Sequence, residues 1–403
     1  MKFDVVQLES TGIDVIDGDR GKNYPHQNEL LDTGFCLFLS AKNVTKSGFN
    51  FFETKFISQR KDALLKNGKL KRGDIVITTR GTVGNVALYS PQIFYDNVRI
   101  NSGMLIIRCT NNISNQYLYQ VLRSEWFQKQ IMAVQSGSAQ PQLPKSHFLK
   151  MYIPLPSLPI QEKIASILQL IDDKVMTNNA INNNLEQQIS ALFINMFGFN
   201  IDNLVENKFS LGDLVESVDN RGKTPPLSDK PTSYPIIDVK ALSGDIRIVD
   251  YNNCTKYVDE ETYNNWFRSG HPKQYDILIS TVGSLAEMKI FLGDIGCIAQ
   301  NVVGFRSKGV SPLYLYQYLN YIKSDLVAYN IGSVQPSIKV THIIKHPIYV
   351  APQDELDKFD SVARSITEKI FANCQENEDL KLLRDTLLPK LMSGELDVSD
   401  IDL

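Results

Sequence analysis

The sequence predicts an α/β (α+β) chain built twice: two duplicated β-rich domains separated by two long antiparallel helices, which form a coiled-coil strut with a pseudo-two-fold relation between the halves. Three observations predict it. Phrases recur in the same order about two hundred residues apart. Apolar residues keep helical spacing through two long acidic stretches. Net charge alternates: 1–156 is +7 (19 Lys+Arg against 12 Asp+Glu), 157–206 is −4 (2 against 6), 207–352 is +1 (15 against 14) and 353–403 is −7 (6 against 13). These four segments are the expected domain, helical spacer, domain and helical spacer.

The recurrence fixes the two domains. "RGDIVITTRGTVGNV" (72–86) is answered by "YDILISTVGSLAE" (275–287), and "DRGKNYP" (19–25) by "NRGKTPP" (220–226). "YLYQVL" (117–122) returns as "YLYQYL" (314–319), "GSAQPQL" (137–143) as "GSVQPSI" (332–338), and "HFLKMYIPLP" from His147 as "HIIKHPIYVAP" from His342. So long a period means duplicated domains rather than a solenoid, whose units run to some 20–50 residues. Within each copy, β-branched runs such as 75–79 and 277–281 lie between Gly, Asn and Pro clusters, which predicts strands joined by turns. The Tyr-Leu-Tyr-Gln segments, with apolar residues every three or four positions onward to Phe127 and Leu326, predict one helix per copy.

The spacers follow from a different periodicity. Ile160, Ile164, Ile167, Ile171, Val175, Ile181, Leu185, Ile189, Leu192 and Met196 are mostly three or four apart, with one gap of six; Phe359, Val362, Ile366, Ile370, Leu380, Leu383 and Leu387 form the second stripe. Each predicts a helix of roughly 35 to 40 residues, some 50 to 60 Å long. Helices so long and acidic cannot bury themselves in their own domain, so the stripes are expected to face each other. Chain order makes the pair antiparallel.

Composition narrows the class. No apolar run approaches the roughly 20 residues of a membrane helix, and the opening MKFDVVQLES has no signal-peptide core, so a cytoplasmic protein without membrane contact is expected. Five scattered cysteines without a CxxC pair read as reduced core residues. Pro347 disfavours the helix that would align His342 and His346 as a metal pair, so no metal site is expected. Two neutral-to-basic domains on an acidic strut suit a DNA duplex met at two half-sites, since antiparallel strands carry their own dyad.

At this point "GDIVITTRGTVGNVAL", "SGSAQPQL" and "YIPLPSLPIQEKIASILQLIDDKV" carry a resemblance. The chain resembles the specificity subunit of type I restriction-modification systems, over essentially its whole length. The resemblance implies that each block is a target recognition domain reading one half of a bipartite DNA site, with the helices as a ruler for the spacer. It also implies two docked modification subunits forming an adenine methyltransferase, and restriction subunits joining as an ATP-dependent nuclease. S-adenosylmethionine and ATP/Mg would belong to those partners, with no cofactor in this chain. Because 79–82 reads Thr-Arg-Gly-Thr and 281–284 reads Thr-Val-Gly-Ser, the two half-sites are expected to differ.

Catalytic motifs are incomplete. Thr224-Pro225-Pro226-Leu227 lacks the amide and aromatic ring of an adenine-flipping loop. Arg221-Gly222-Lys223-Thr224 resembles the tail of a phosphate loop, but Ser217 stands where its first glycine belongs. The alternatives are a metal-dependent DNA nuclease using Asp276, Glu287 and Lys289, and a two-headed protein scaffold. The favoured DNA contacts are Arg20, Lys22, Lys42, Thr79, Arg80, Asn101, Gln140 and Lys145 in the first copy, and Arg221, Lys223, Lys240, Thr281, Asn301, Gln335 and Lys339 in the second. Their side chains supply the donors that grip phosphate or read base edges. Arg80 leads, because Gly81 and Gly84 beside it permit a closely approaching loop. A ruler also predicts that four residues inserted near Asn182 alter the spacer and leave the half-sites alone.

Overall fold

The computed structural model describes residues 3–134, 141–203, 209–399 and 401. The chain divides into two compact units, Met1–Lys174 with Glu378–Leu403, and Val175–Asn377, so that each unit holds one β-rich domain and one half of each long helix.

In the first unit an antiparallel sheet has the strand order Asp14–Asp17, Met104–Arg108, Ile75–Thr78, Val86–Leu88. The run Ile75–Thr78 is buried on both faces, which is why it is uninterrupted in apolar and β-branched residues. Ile75 and Ile77 pack with Tyr117, Leu118 and Val121 of a helix, whereas Val76 packs with Leu37, Leu39 and Val98. Those last three belong to a small sheet, Phe56–Ile57, Cys36–Leu39, Val98–Ile100, whose latter two strands run parallel.

The second unit repeats the topology. Its sheet order is Val215–Val218, Val302–Ser307, Ile277–Ser280, Met288–Ile290. Ile277 pairs with Ile290 and Phe305 as Ile75 pairs with Leu88 and Ile107. The repeated phrases are thus a repeated register.

The single helix expected after each sheet is two helices. In the first unit Asn115–Arg123 stops at Ser124, which is extended (φ −61°, ψ 146°), and Glu125–Val134 follows. The Ser124 hydroxyl donates to the Val121 carbonyl and accepts from the Phe127 amide at 3.1 Å, so one serine closes one helix and caps the next. In the second unit Pro312–Tyr321 and Lys323–Ala328 meet at Ile322.

The first long helix runs Leu158–Phe193 and continues through a π turn, Ile194–Gly198, into Phe199–Asp202; the second runs Gln353–Ser393. Gly394 (φ 72°) ends the latter in the left-handed conformation that favours glycine. Their halves pair antiparallel in both units. In the first, Ile164 and Leu168 share a core with Leu388, Leu391 and Met392, and Asp172 accepts from Arg384 at 3.1 Å. In the second, Asn182 faces Asn373 (2.7 Å) and Asn178 faces Asn377 (3.0 Å).

Two details differ from expectation. The helices also bury against their own domains: Ile164 and Leu168 join the cluster of Tyr117, Leu118 and Val121. The gap of six in the first stripe is a buried polar layer, in which Asn178, Asn182, Asn373 and Asn377 are each at most 4% exposed, while Ile181 faces outward. Hydrogen-bonded asparagines inside a helix pair satisfy each other in one register only, and so set alignment at the expense of stability.

Candidate nucleic-acid interface

The loops at one end of each sheet are set by the turn that precedes the central strand. Asp74 accepts from the Lys71 amide (2.7 Å) and takes a two-pronged pair from Arg108, Nε at 2.8 Å and Nη2 at 2.7 Å. Asp276 does the same with the Lys273 amide (2.8 Å) and Arg306, at 3.1 and 2.8 Å. The repeated aspartate is a turn residue, as its sequence position suggests. The arginine opposite it escaped the sequence reading, although Arg108 and Arg306 recur at matching places and carried the signal.

At the far end of the first sheet the strand runs out into Arg80. The Thr79 amide donates to Gly103 O at 2.7 Å, and Arg80 bridges to Gln142, which brings residues 101–103 and 141–143 against the Arg80 loop. Arg20 joins them, pairing with Asp17 at 2.9 Å and reaching the Ser102 carbonyl at 3.5 Å. Gly18 lies so close to Asn101 that a Cβ there would sit 2.1 Å from its carbonyl oxygen, so the strand crossing needs glycine. Ala41 stands beside Gly81, which places Lys42 in the same cluster. Arg20, Lys22, Lys42 and Arg80 are exposed, and the Arg80 guanidinium has no hydrogen bond or ion pair among the described residues.

Backbone amides of Gly21 and Lys66 hold the Asp19 carboxyl below the usual range, so this turn stays ionised and shaped while carrying Arg20 and Lys22. Asn101 spends its side-chain oxygen on the Gly103 amide at 2.8 Å. Thr79 is buried and shapes the loop instead of facing outward. Lys145 leaves the cluster, its ammonium held by Val15 O at 2.5 Å. Gln140 lies outside the described residues.

The second sheet ends in an equivalent construction. The Thr281 amide donates to Asn301 O (2.7 Å), Ile338 donates to Thr281 O (2.9 Å), and Val282 bridges to Ser337. Arg221, Val282 and Lys339 share the wall of an open pocket of about 310 Å³. Arg221 is oriented by Asp219 through two contacts of 2.9 and 2.7 Å. Lys223, Gln335 and Lys339 are exposed nearby in sequence terms, Lys240 is exposed on the turn Val239–Leu242, and Thr281 is fully buried like its counterpart. Asn301 is half-buried. Of the fifteen sequence candidates, the two threonines therefore belong to the interior.

The nuclease alternative fails on geometry. Asp276 is 2% exposed and occupied by Arg306, Glu287 pairs with Lys323 at 3.1 Å, and the Lys289 ammonium points inward to the carbonyls of Gly244 (2.5 Å) and Ile246. Three groups facing three different partners cannot share a metal ion. Burial drives the Lys289 pKa down to about 8, against raising contributions from Glu186 and Glu287.

That shift predicts a pH dependence. Below pH 8 the lysine is charged in both folded and unfolded chains and its burial penalty is present; between pH 8 and 10.5 the folded chain releases the proton first, so this group's contribution to stability rises with pH. Relative to Lys289→Met, the native chain should gain about 2 kcal/mol between pH 7.5 and 10. Denaturant titrations of both proteins at the two pH values check it; a constant difference would mean the ammonium is not desolvated.

Known proteins match this architecture. The model of the type I restriction modification DNA specificity domain matches residues 11–187 and 205–372. The type I restriction enzyme MjaIX specificity subunit of Methanocaldococcus jannaschii is 26% identical, over 82% of this chain and 79% of its own length. The HindI specificity subunit of Haemophilus influenzae is 23% identical, over 94% and 98%. The crystal structure of the type I restriction-modification S subunit from M. genitalium aligns with a TM-score of 0.54 at 15% identity, covering 99% of this chain and 97% of that one.

Proposed function

We propose, from the premise that this chain belongs to the type I restriction-modification DNA specificity family, that it reads an asymmetric bipartite DNA site and carries the catalytic partners to it. As a specificity subunit the chain confers sequence specificity and is not itself catalytic. Each sheet-end cluster meets one half-site, Arg20, Lys22, Lys42 and Arg80 serving the first and Arg221, Lys223, Lys240 and Lys339 the second. The cations grip phosphate while neighbouring amides and turn tips reach the bases. The helix pair sets the spacer. Two modification subunits dock to form an adenine methyltransferase with S-adenosylmethionine, and restriction subunits with ATP and Mg²⁺ complete the nuclease.

The observation that carries this reading is one fold used twice with different tips: the sheets share strand order and register, yet Arg80 in one occupies the place of Val282 in the other. A protein scaffold with no DNA contact leaves the exposed Arg80 guanidinium, which has no partner among the described residues, without a task.

Methylome sequencing tests it. A split adenine-methylated motif should vanish on deleting the gene. Because Asn182 is buried against Asn373, an insertion in one helix alone near Asn182 would tear the polar layer. Matched seven-residue insertions, after Ala180 and after Gln375, keep it. They lengthen the pair by about 10 Å and should lengthen the preferred spacer by about three base pairs at 3.4 Å each, with both half-sites unchanged. No split motif, or an unaltered spacer, overturns the proposal.

A further inference from the structure

In the first domain a short turn beside the Arg80 loop is built rigidly around an exposed ring. Asn43, 2% exposed, donates from its side chain to the carbonyls of Asn50 (3.0 Å) and Glu53 (2.7 Å), and the Asn50 amide returns a bond to Asn43 O at 2.9 Å. The Phe52 amide donates to the Asn50 side chain at 2.9 Å. Lys42 closes the turn through Glu53 at 2.8 Å. The turn's two other aromatic neighbours are engaged, Phe51 stacking on Phe49 and meeting Tyr95. Phe52 is left 91% exposed. A floppy tip would hide such a ring at little cost; this one holds it out in water.

The second domain closes a related turn with two of the same anchoring bonds, though it is two residues longer between them, winds as the 3-10 turn Tyr251–Asn253, and carries Ala241 in place of Asn43. The Asp250 amide donates to Ala241 O at 3.0 Å, as Asn50 donates to Asn43 O, and the Asp250 side chain accepts from the Asn252 amide at 3.0 Å, as Asn50 accepts from Phe52. Lys42 and Lys240 lie on the matching turns Ala41–Asn43 and Val239–Leu242. Two residues after the anchoring side chain, the first turn thus presents Phe52 and the second an exposed asparagine, Asn252. The anchoring bonds are kept and the tip is changed.

We infer that this tip is a specificity-determining base contact: Phe52 stacks against an unstacked base step in the first half-site, and Asn252 pairs with a base edge in the second. The inference rests on the DNA-reading function proposed above and names where within it the two half-sites diverge. The cations alongside, Lys42, Arg80 and Arg20, supply charge complementarity to the backbone, so the occupant of the surface is duplex DNA. A ring wedged between bases favours the pyrimidine–purine steps that unstack most readily, which gives it a sequence preference, and an asparagine amide matches adenine's N6 and N7 in the major groove.

The experiment uses the complex of the full chain with its modification subunits. The Phe52→Ala, Phe52→Tyr and Asn252→Ala complexes are compared with wild type for methylation of a randomised-site library, for binding to the wild-type site, and for 2-aminopurine fluorescence across the first half-site. Phe52→Ala should weaken specific binding about tenfold to a hundredfold, relax the first half-site only and lose the fluorescence rise, with an unchanged melting temperature because the ring is exposed. Phe52→Tyr should retain all three readouts, and Asn252→Ala should relax the second half-site only. Unchanged half-sites and affinity in Phe52→Ala and Asn252→Ala, in complexes that still methylate the split site, overturn the inference alone. A wild-type complex that methylates no split site overturns the DNA-reading function itself.

Discussion

Arg247→Ala should destabilise the second unit by about 3 to 5 kcal/mol, the cost of leaving a buried ion without its partner. Arg247 is fully buried. Its guanidinium grips Glu186 on the first long helix with contacts of 2.7 to 3.1 Å, reaches Thr367 on the second at 3.0 Å, and approaches Gln317 at 3.5 Å over the ring of Tyr316. One side chain from the domain therefore fixes both helix halves of its unit. Truncating it leaves the largely buried Glu186 carboxylate without its guanidinium, and thermal melting should fall by roughly 10 °C. The double variant Arg247→Met with Glu186→Leu should recover most of that loss, because an apolar pair pays no desolvation. If the single and double variants melt alike, the damage comes from lost packing and the ion pair is not the cause.

The first unit secures the same junction with different chemistry. Asp172 on the long helix accepts from Gln120 (2.8 Å), Arg123 (2.9 Å) and Arg384 (3.1 Å), and Gln120 holds the place in its helix that Gln317 holds in the second copy. Burial raises the Asp172 pKa, yet Arg123, Gln120 and Arg384 outweigh it and keep the carboxylate below its usual range. A duplicated fold thus keeps the station and exchanges the ions.

This exchange explains what the sequence could and could not reveal. Order, repeat and strand identity were legible because the same buried pattern had to be written twice, as in 75–78 and 277–280. The long helices were legible from their stripes, and the gap between Val175 and Ile181 marked the polar layer without naming it. Only the register shows that Asn178 and Asn182 fill the interior while Ile181 faces out. The helix break at Ser124 was hidden because the apolar spacing runs on across it; a cap is a local hydrogen bond that outweighs periodicity. Arg247 gave no warning at all, since it sits in an unrepeated phrase and its partners lie 61 and 120 residues away. Among the surface candidates, Thr79 and Thr281 looked like polar loop residues, and only burial assigns them to the interior.

Phe193→Ala should have an effect of similar size, about 3 to 5 kcal/mol, through packing alone. Phe193 ends the first long helix and is fully buried, with the rings of Phe197, Tyr314, Tyr318, Tyr321 and Phe359 at centroid distances of 5.3 to 6.3 Å. Edge and tilted contacts of this kind add to the burial of the ring. Its neighbours come from three elements: the helix's own π turn, the helix Pro312–Tyr321 and the second long helix. Alanine would empty their common centre, and aromatic rings on three separate backbones cannot all move in to fill it. Urea titration should show a midpoint well below wild type for Phe193→Ala and a smaller shift for Phe193→Leu, which keeps most of the apolar volume. Equal shifts would show that the ring geometry, rather than the filled volume, holds the helix to its domain. On the proposed function, a helix end loosened from its domain would aim that domain's loops at DNA less sharply, so methylation of a split site should fall at temperatures where the variant is still folded.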